Sequence, residues 1–313
     1  MSGTIVAFGE VLWDLLPDRR ILGGAPFNFA YRVNSLGRTA VMTSRVGADD
    51  LGEEALGKMR QLGMDISHIQ VDHDHPTGTV KVSFDSDRNP DYVIVPDVAY
   101  DYTEATDDLQ AVAGQADCLC FGTLAQRKPV SRNALARIVE LAEGAVKLLD
   151  INFRKNCFTT ETVMDSLDKA DILKLNEDEA ASLAEMLAIS ADGIEDVADV
   201  VVDRFELACC VVTLAEKGAL VCAAGGEKAY SPGYSVELVD SLGSGDAFTA
   251  GFITKYLGGS TLGRCIEYGN ALGAIVATQQ GATAPVSMDN VYNFMASGPE
   301  RLLEPAMARY ASL

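Results

Sequence analysis

Apolar and polar positions alternate along the chain with two different periods. Short apolar runs at residues 4–12 and 39–46 have the length and composition of buried strands. Apolar side chains recur at helical spacing at positions 29, 30, 33 and 36 and again over residues 51–62, which predicts two helices. Pro26 stands near the start of the first helix, where a helix tolerates proline. Strands that alternate with helices predict a parallel sheet covered on both faces.

The alternation returns in the second half of the chain. Strands are predicted at residues 118–121, 146–150, 172–175 and 209–214, a hairpin at 219–223 and 227–230, and helices at 131–142 and 262–278. No linker, repeat or low-complexity segment separates these elements. The pattern therefore predicts an α/β fold, and we expect a single domain over residues 1–313.

Residues 77–95 interrupt the alternation. Two strand-like stretches, 79–84 and 92–95, follow one another across residues 85–90 without a helix between them. A hairpin inside a series of strand and helix units predicts a small separate sheet. We expect this sheet, formed mainly by residues 77–100 with a segment near 12–22, to fold over a site as a lid.

The stretch 236–256 predicts a strand, a glycine turn and a helix. Its apolar run ends at Val239, Gly243 and Gly245 follow, and Asp246 opens a segment with apolar residues at helical spacing. Glycine brings bare backbone amides close to a ligand, and a helix start adds unpaired N–H donors and partial positive charge, so the turn is typical of an anion site. A carboxylate beside a bound anion has a use if it takes a proton from a group attacking that anion. The alternative is an ordinary strand-to-helix turn with an aspartate near its N-cap.

Composition narrows the classes of partner. The chain of 313 residues has 45 acidic and 25 basic side chains and a formal charge of −20. Such a surface repels nucleic acid and anionic membranes, so we expect neither as a partner, and a bound polyphosphate would need a divalent metal ion for neutralisation. The first residues lack the basic start of a signal peptide and no long apolar run occurs, from which we expect a cytoplasmic protein.

Cysteine and histidine give weak signals. The seven cysteines form no C-x-x-C pair and stand mostly in apolar runs, which favours buried reduced thiols over disulfides or a zinc site. All three histidines, His68, His73 and His75, stand near Asp72 and Asp74. A metal site there is conceivable, but a solvated loop is the simpler interpretation, since the spacing matches no metal motif.

Polar side chains follow two of the predicted strands. Asp150, Asn152 and Arg154 come after one, and Asn176 and Glu179 after the next. In open α/β sheets, ligands bind beyond the carboxyl ends of the strands. These residues are therefore candidates for a site.

Three motifs in order resemble the ribokinase family of carbohydrate kinases, also called the PfkB group. They are the glycine-rich stretch 23–28, the N-x-x-E pattern from Asn176 to Glu179, and the stretch 240–248, which is similar to the family's D-T-x-G-A-G-D-x-F. The resemblance covers residues 5–285. It implies a ribokinase-like three-layer fold, with a central, mostly parallel sheet between helices and a small β lid, and phosphoryl transfer from ATP to a sugar hydroxyl.

The resemblance also implies roles for individual residues. It makes Asp246 the general base, and it makes the backbone N–H groups from Gly243 through Ser244 and Gly245 to Asp246 the anion hole. The other implied residues are Asp14, Gly23, Gly24, Asn28 and Arg154 for the sugar; Asn176, Thr213, Gly218 and Asn270 for the nucleotide; Glu179 for Mg²⁺ through water; and Asp240, Leu242 and Gly281 for a possible K⁺. Ala215 and Leu242 depart from the family's usual glycine and threonine.

The glycine-rich stretch indicates the substrate. Gly-Gly-Ala-Pro-x-Asn is similar to the fructokinase branch, whereas ribokinases usually have lysine where Ala25 stands. We therefore expect D-fructose to become fructose 6-phosphate, with 2-keto-3-deoxygluconate, another ketose or a riboside as alternative acceptors. Arg154 or Arg127 would contact the sugar or its phosphate, unless each forms a surface ion pair. A non-catalytic sugar or nucleotide sensor is the alternative from another class, and relatives suggest a homodimer through the lid.

Overall fold

The computed structural model describes residues 3–84 and 90–311, and it describes side chains outside residues 82–92. The strands are β1 Thr4–Phe8, β2 Leu12–Leu15, β3 Arg20–Gly23, β4 Thr39–Gly47, β5 Ile69–Asp72, β6 Gly78–Phe84, β7 Pro90–Ile94, β8 Cys118–Phe121, β9 Val146–Asp150, β10 Ile172–Asn176, β11 Cys209–Thr213, β12 Gly218–Ala223, β13 Lys228–Tyr234 and β14 Arg301–Leu302. The helices are α1 Ala25–Ser35, α2 Asp50–Gln61, α3 Asp107–Ala113, α4 Pro129–Leu141, α5 Thr160–Leu167, α6 Glu177–Met186, α7 Ile194–Arg204, α8 Ser244–Tyr256, α9 Leu262–Ala277 and α10 Met288–Ala296.

A large mixed sheet forms the centre of the protein. Its order is β14-β13-β12-β11-β10-β9-β8-β1-β4-β5. The neighbours from β11 through β5 pair in parallel, and β12, β13 and β14 add an antiparallel edge. Parallel strands need crossover connections, and the helices between them supply these.

Successive residues of the central strands enter different halves of the core. In β1, Val6 and Phe8 pack into one apolar cluster, whereas Ile5 and Ala7 pack into the other. A strand with apolar residues on both faces is typical of a sheet sandwiched between helices. The three-layer, ribokinase-like α/β architecture expected from the sequence is confirmed.

A second sheet, of four strands, stands apart from the first. Its order is β3-β2-β6-β7, with β2 parallel to β6 and antiparallel to β3. It thus combines the 12–22 segment with the 77–95 hairpin. Residues 85–89, which the sequence analysis placed between the two hairpin strands, lie outside the described residues. Closure of this sheet over a site stays a prediction.

Two strand predictions were wrong, one in the extent of the strand and the other in its existence. The run 4–12 breaks after Phe8, because the chain leaves the large sheet there and Leu12 pairs with Gly23 and Gly78 of the small sheet. The run 236–239 is not a strand. The Val239 amide donates to the Ala277 carbonyl at the end of α9 (2.9 Å) instead of to a neighbouring strand.

No helix in the described chain has the length and apolarity to cross a bilayer.

Candidate active site

The N-terminus of α8 is the candidate anion hole predicted from the sequence. Gly243 precedes the helix with φ 77°, a left-handed conformation that favours glycine, and a Cβ there would lie 2.4 Å from the Ala282 Cβ. The Ser244 amide donates to the Ser241 carbonyl (3.2 Å). The amides of Gly245 and Asp246 come next in the first turn, where a helix provides no backbone acceptor. Of the amides predicted for the anion hole, those of Gly245 and Asp246 are therefore placed to receive an anion, and this role stays a prediction.

Asp246 faces the helix that carries the glycine-rich motif. Its Oδ2 accepts a hydrogen bond of 2.8 Å from Asn28 Nδ2. Burial raises the pKa of Asp246 to about 6, and the negative charge of Asp150 adds to the effect, while the Asn28 hydrogen bond opposes it. Asn28 Oδ1 is buried and has no hydrogen-bond partner among the described residues. That oxygen can accept a hydrogen bond from a hydroxyl group of a ligand placed against Asp246.

A buried ion pair lies directly behind the anion hole. Lys174 Nζ is 3.1 Å from Asp150 Oδ1, and the Thr249 hydroxyl of α8 lies 2.9 Å from Asp150 Oδ2. A Cβ at Gly245 would lie 3.6 Å from Lys174 Nζ, so the ammonium group sits against the anion hole. Burial alone would lower the pKa of Lys174, but Asp150, Glu179 and Asp246 raise it, so the side chain is charged. Lys174 was not predicted from the sequence, where its signal was a single charge inside the apolar strand β10.

The predicted sugar residues lie on β2, on β3, at the start of α1 and in the loop after β9. Asp14 belongs to β2, and its Oδ2 would be 3.1 Å from a Cβ at Gly23. Gly24 is the N-cap of α1 with φ 113°, and a Cβ there would lie 2.3 Å from the Glu10 carbonyl oxygen. Burial raises the pKa of Asp14 to about 6, against the opposing charge of Arg154.

Arg154 and Arg127 have different surroundings. Arg154 is exposed and makes no salt bridge with any residue that the structure describes. Its positive charge opposes the rise in the pKa values of Asp14 and Asp246. Arg127 instead forms a two-point ion pair with the buried Asp101, with nitrogen to oxygen distances of 2.6 and 2.9 Å. Arg127 is therefore held in a buried ion pair at the base of the small sheet, and Arg154 remains the candidate for a ligand.

Glu10 is a second carboxyl group that the sequence analysis did not assign to the site. It is 4 % exposed, its Oε1 accepts a hydrogen bond from the Ala25 amide (3.2 Å), and it lines a small cavity together with Asp150 and Asn152. Burial raises the pKa of Glu10 to about 7, and the Ala25 amide and the charge of Arg154 oppose the rise. The sequence signal was an acidic residue at the end of an apolar run.

This pKa predicts how stability depends on pH. A carboxyl with a raised folded-state pKa gives stability below its unfolded pKa that is lost as pH rises through the folded value. For Glu10 the loss spans pH 4.5 to about 7 and is on the order of 3 kcal/mol. We expect Glu10→Gln to remove this component. The free energy of unfolding in urea, relative to that of the wild type, should then be higher for the variant at pH 8 than at pH 5. The exposed Glu53→Gln in α2 is the control; equal pH dependence in the Glu10 variant would contradict the prediction.

A cleft of about 480 Å³ leads to the anion hole. Three of the residues predicted for the nucleotide, Thr213, Gly218 and Asn270, line it, and it extends to Ser244 and Gly245. Asn270 uses its side-chain amide to hold the Ser231 carbonyl (2.9 Å), so it shapes the wall by joining α9 to β13. Leu238, which is 66 % exposed, also lines the cleft, as does Val236. The apolar run 236–239 therefore supplies cleft wall and not sheet.

Asn176 and Glu179 cap α6. Asn176 Oδ1 accepts from the Glu179 amide, and Glu179 Oε2 accepts from the Asn176 amide, both at 2.8 Å. Glu179 Oε1 also accepts from the Phe153 amide (3.0 Å), which ties the loop after β9 to α6. Burial raises the pKa of Glu179, and Lys174 opposes the rise. Asn176 does not line the cleft.

Asp240 joins the two loops that were predicted to hold a potassium ion. Its Oδ1 accepts from the Leu242 amide and its Oδ2 from the Gly281 amide, both at 3.0 Å. The structure thus brings together the three residues of this prediction.

Near the histidines, His75 stacks on Tyr102 and lies 3.2 Å from Asp72 Oδ2. No cluster of three or more metal-ligating side chains of the His, Cys, Asp and Glu types occurs in residues 3–84 and 90–311.

The fold and the site together define a ribokinase-like protein, with a cleft of about 480 Å³ that reaches the start of α8, where Asp246 lies in the first turn. The chain belongs to the pfkB family of carbohydrate kinases, which it matches over residues 18–289. It is similar to the fructokinase of Escherichia coli, with 29% identity over 300 residues, 90% of this chain and 95% of the relative.

Solved structures agree on the fold. The 2-dehydro-3-deoxygluconokinase of Thermotoga maritima superposes with a TM-score of 0.84 at 22% identity, over 95% of this chain and 100% of that one. A double mutant of the fructokinase from Vibrio cholerae O395, bound to fructose, ADP and potassium, gives 0.79 at 23% identity, over 94% and 98% of the two chains. At such identities these likenesses concern the fold alone.

Proposed function

We propose that this protein transfers the terminal phosphoryl group of ATP to a primary hydroxyl of a sugar, and that the sugar is D-fructose, giving fructose 6-phosphate. The observation that carries the proposal is the 2.8 Å hydrogen bond between Asn28 and Asp246. It joins the helix of the glycine-rich motif to an acid in the first turn of α8, at the point where the cleft reaches the anion hole. A sugar held by Asn28 would therefore place a hydroxyl beside Asp246.

Each group at this point has a task in phosphoryl transfer. Asp246 would accept the proton of the sugar hydroxyl as its oxygen attacks phosphorus. The amides of Gly245 and Asp246 would hold the oxygens of the transferring group, and Lys174 beneath them would add positive charge. Donors fixed before the reaction stabilise the developing charge without further rearrangement.

The carboxylate of Glu179, whose charge acts on Lys174, fits a magnesium ion held mainly by phosphates and water. Mg²⁺ keeps several waters and commonly uses one or two carboxylates together with substrate phosphates. Each oxygen of Glu179 accepts one backbone hydrogen bond and keeps a lone pair, and Asp150 lies near the same loop. Glu179 would hold the ion through water, and the ion would neutralise charge on the phosphates. Thr213, Gly218 and Asn270 would form the walls for the nucleotide.

Charge in the sugar region favours a neutral sugar over a sugar acid. Glu10, Asp14 and Asp246 surround it, and Arg154 is the cation whose charge acts on all three. A carboxylate on the substrate would meet more negative than positive charge. The similarity to fructokinases supports fructose, and 2-keto-3-deoxygluconate, the alternative acceptor expected from the sequence, stays the second candidate.

A panel of acceptors tests the proposal. We expect coupled ADP release to be fastest with D-fructose, and slower with 2-keto-3-deoxygluconate, other ketoses and ribosides by about tenfold or more, because each unpaired polar group buried in the pocket costs about 1–3 kcal/mol. If 2-keto-3-deoxygluconate gives ADP release and D-fructose gives none, D-fructose is rejected as the substrate. Saturable sugar binding, followed by the fluorescence of the single tryptophan Trp13 next to Asp14, without any ADP would indicate a sensor.

Two further expectations stay predictions. Pairing of two copies through the small sheet, and residence in the cytoplasm, follow from the sequence and the resemblance. The outer strand β7 carries Val93, which is 48 % exposed. An apolar side chain at that edge is compatible with a partner strand or sheet.

A further inference from the structure

Arg32 is a buried positive charge held by backbone oxygens. It is 1 % exposed, its Nη2 donates to the Ala282 carbonyl (2.7 Å), and its Nη1 donates to the Ala284 carbonyl (2.9 Å). Within the described parts of the chain it has no carboxylate within salt-bridge distance, and the ring of Tyr31 lies 5.4 Å away. Burial lowers the pKa of Arg32 to about 10, so it stays charged at neutral pH. Carbonyl oxygens around a single positive charge are also the shell that proteins give to potassium.

This charge lies one contact away from the anion hole. Ala282 follows Gly281, whose amide is bound to Asp240, and its side chain fills the space where a Cβ of Gly243 would be. On the other side, Arg32 stands one helical turn after Asn28, the residue bonded to Asp246. Arg32 therefore connects the sugar-binding helix with the loop that supports the start of α8.

Backbone carbonyls near Gly281, the kind of ligand that the resemblance implies for potassium, are already bound by the chain itself. Both carboxylate oxygens of Asp240 accept backbone amides, and the carbonyls at positions 282 and 284 point to the Arg32 guanidinium. An added cation near this loop would meet an existing positive charge at close range, which is unfavourable in a poorly solvated region. The described residues thus do not fit the ion that the family resemblance led us to expect.

We propose that Arg32 is a cation built into the chain, which holds the 282–284 segment and through it the anion hole, so that phosphoryl transfer does not require potassium. Arg32 is a positioning residue in this proposal, since it acts through Ala282 and Gly243. The proposal rests on the proposed function for its catalytic consequence, but the binding of a cation to the loop can be measured without turnover.

The wild-type protein gives the first test. Rates and unfolding temperatures are measured in potassium, sodium and choline chloride at equal ionic strength. We expect the turnover number to differ by less than about twofold among the salts, and potassium to give no unfolding-temperature shift beyond that of sodium. A potassium requirement of about tenfold or more, or a potassium-specific thermal shift, would overturn the proposal, because carbonyls bound to the Arg32 guanidinium are not free to bind the ion.

Substitution gives the second test. In Arg32→Met the two carbonyls are freed, and we expect the turnover number to fall by about 10²-fold with little change in the sugar KM, since small displacements of a catalytic group have effects of that size. Potassium or low millimolar guanidinium should restore part of the rate and raise the unfolding temperature of this variant alone. Arg32→Lys, which keeps the charge, should retain more of the rate than Arg32→Met.

Arg38→Met is the matched control, because Arg38 also binds a backbone carbonyl, that of Thr254 (3.1 Å), has no salt bridge with any described residue, and lies outside the site. We expect it to lose stability without gaining any response to potassium. If Arg32→Met loses stability alone, or both variants respond to potassium alike, Arg32 has only a structural role and the proposal fails. If no sugar is phosphorylated by the wild type, the proposed function fails, and the thermal responses still decide the role of Arg32.

Discussion

Replacing Asp246 by asparagine should lower the turnover number by about 10³-fold, which is within the range that a general base contributes. Asparagine keeps the size of the side chain and an oxygen that can accept the hydrogen bond from Asn28, which is 2.8 Å in the wild type. It cannot take a proton from the sugar hydroxyl. ATP binding, measured by calorimetry, should change little because the cleft walls and the two amides are untouched.

The control for this variant is Asp50→Asn. Asp50 is also an acid in the first turn of a helix, but it is exposed on α2 and distant from the cleft. It should leave the turnover number unchanged. Near-normal turnover in Asp246→Asn would remove Asp246 as the base, and loss of ATP binding would mean that the variant had disturbed the anion hole instead.

The raised pKa of Asp246 gives the same residue a pH signature. The base works only when it is deprotonated, and burial raises its pKa to about 6. Activity in the wild type should therefore be full above this value and fall as pH decreases through it. The residual activity of the asparagine variant should lack this dependence, whereas Asp50→Asn should keep it.

Local patterns in the sequence predicted the parts of the site that depend on nearby residues. The helix start at 243–246 is specified by two glycines and helical spacing, and the structure places it within two residues of the prediction. The same holds for α1 and its glycine N-cap. Glycines and periodicity act over a few residues, so these elements could be read from the chain alone.

Other parts of the site depend on contacts between distant segments. The contact of Arg32 with Ala282 joins residues 250 positions apart, and that of Lys174 with Asp150 joins two neighbouring strands. A single charged residue in an apolar run does not identify its partner. Residues 236–239 show the converse, because an apolar run typical of a strand serves as the wall of a cleft. Strand periodicity records burial against any surface, and the pattern does not distinguish a sheet from a ligand site.

Replacing Lys174 by methionine tests the least expected part of the site. Methionine retains most of the volume, but it leaves the buried Asp150 without its partner at 3.1 Å and removes the positive charge beneath Gly245. We expect the turnover number to fall by about 10²-fold, as for the loss of one anion-hole donor, and stability to fall by roughly 3–5 kcal/mol, as for a broken buried ion pair.

The two losses can be separated by a matched lysine in the next strand. Lys147 of β9 is also half of an ion pair, 3.9 Å from Asp171, but it lies away from the cleft. Lys147→Met should leave the turnover number unchanged. If folded Lys174→Met protein keeps a turnover number within about twofold of the wild type, the ammonium group stabilises the sheet and does not stabilise the transferring phosphoryl group. A reduced turnover number with an unchanged sugar KM is the result expected of a charge that acts mainly in the transition state, because such an interaction contributes little to ground-state binding.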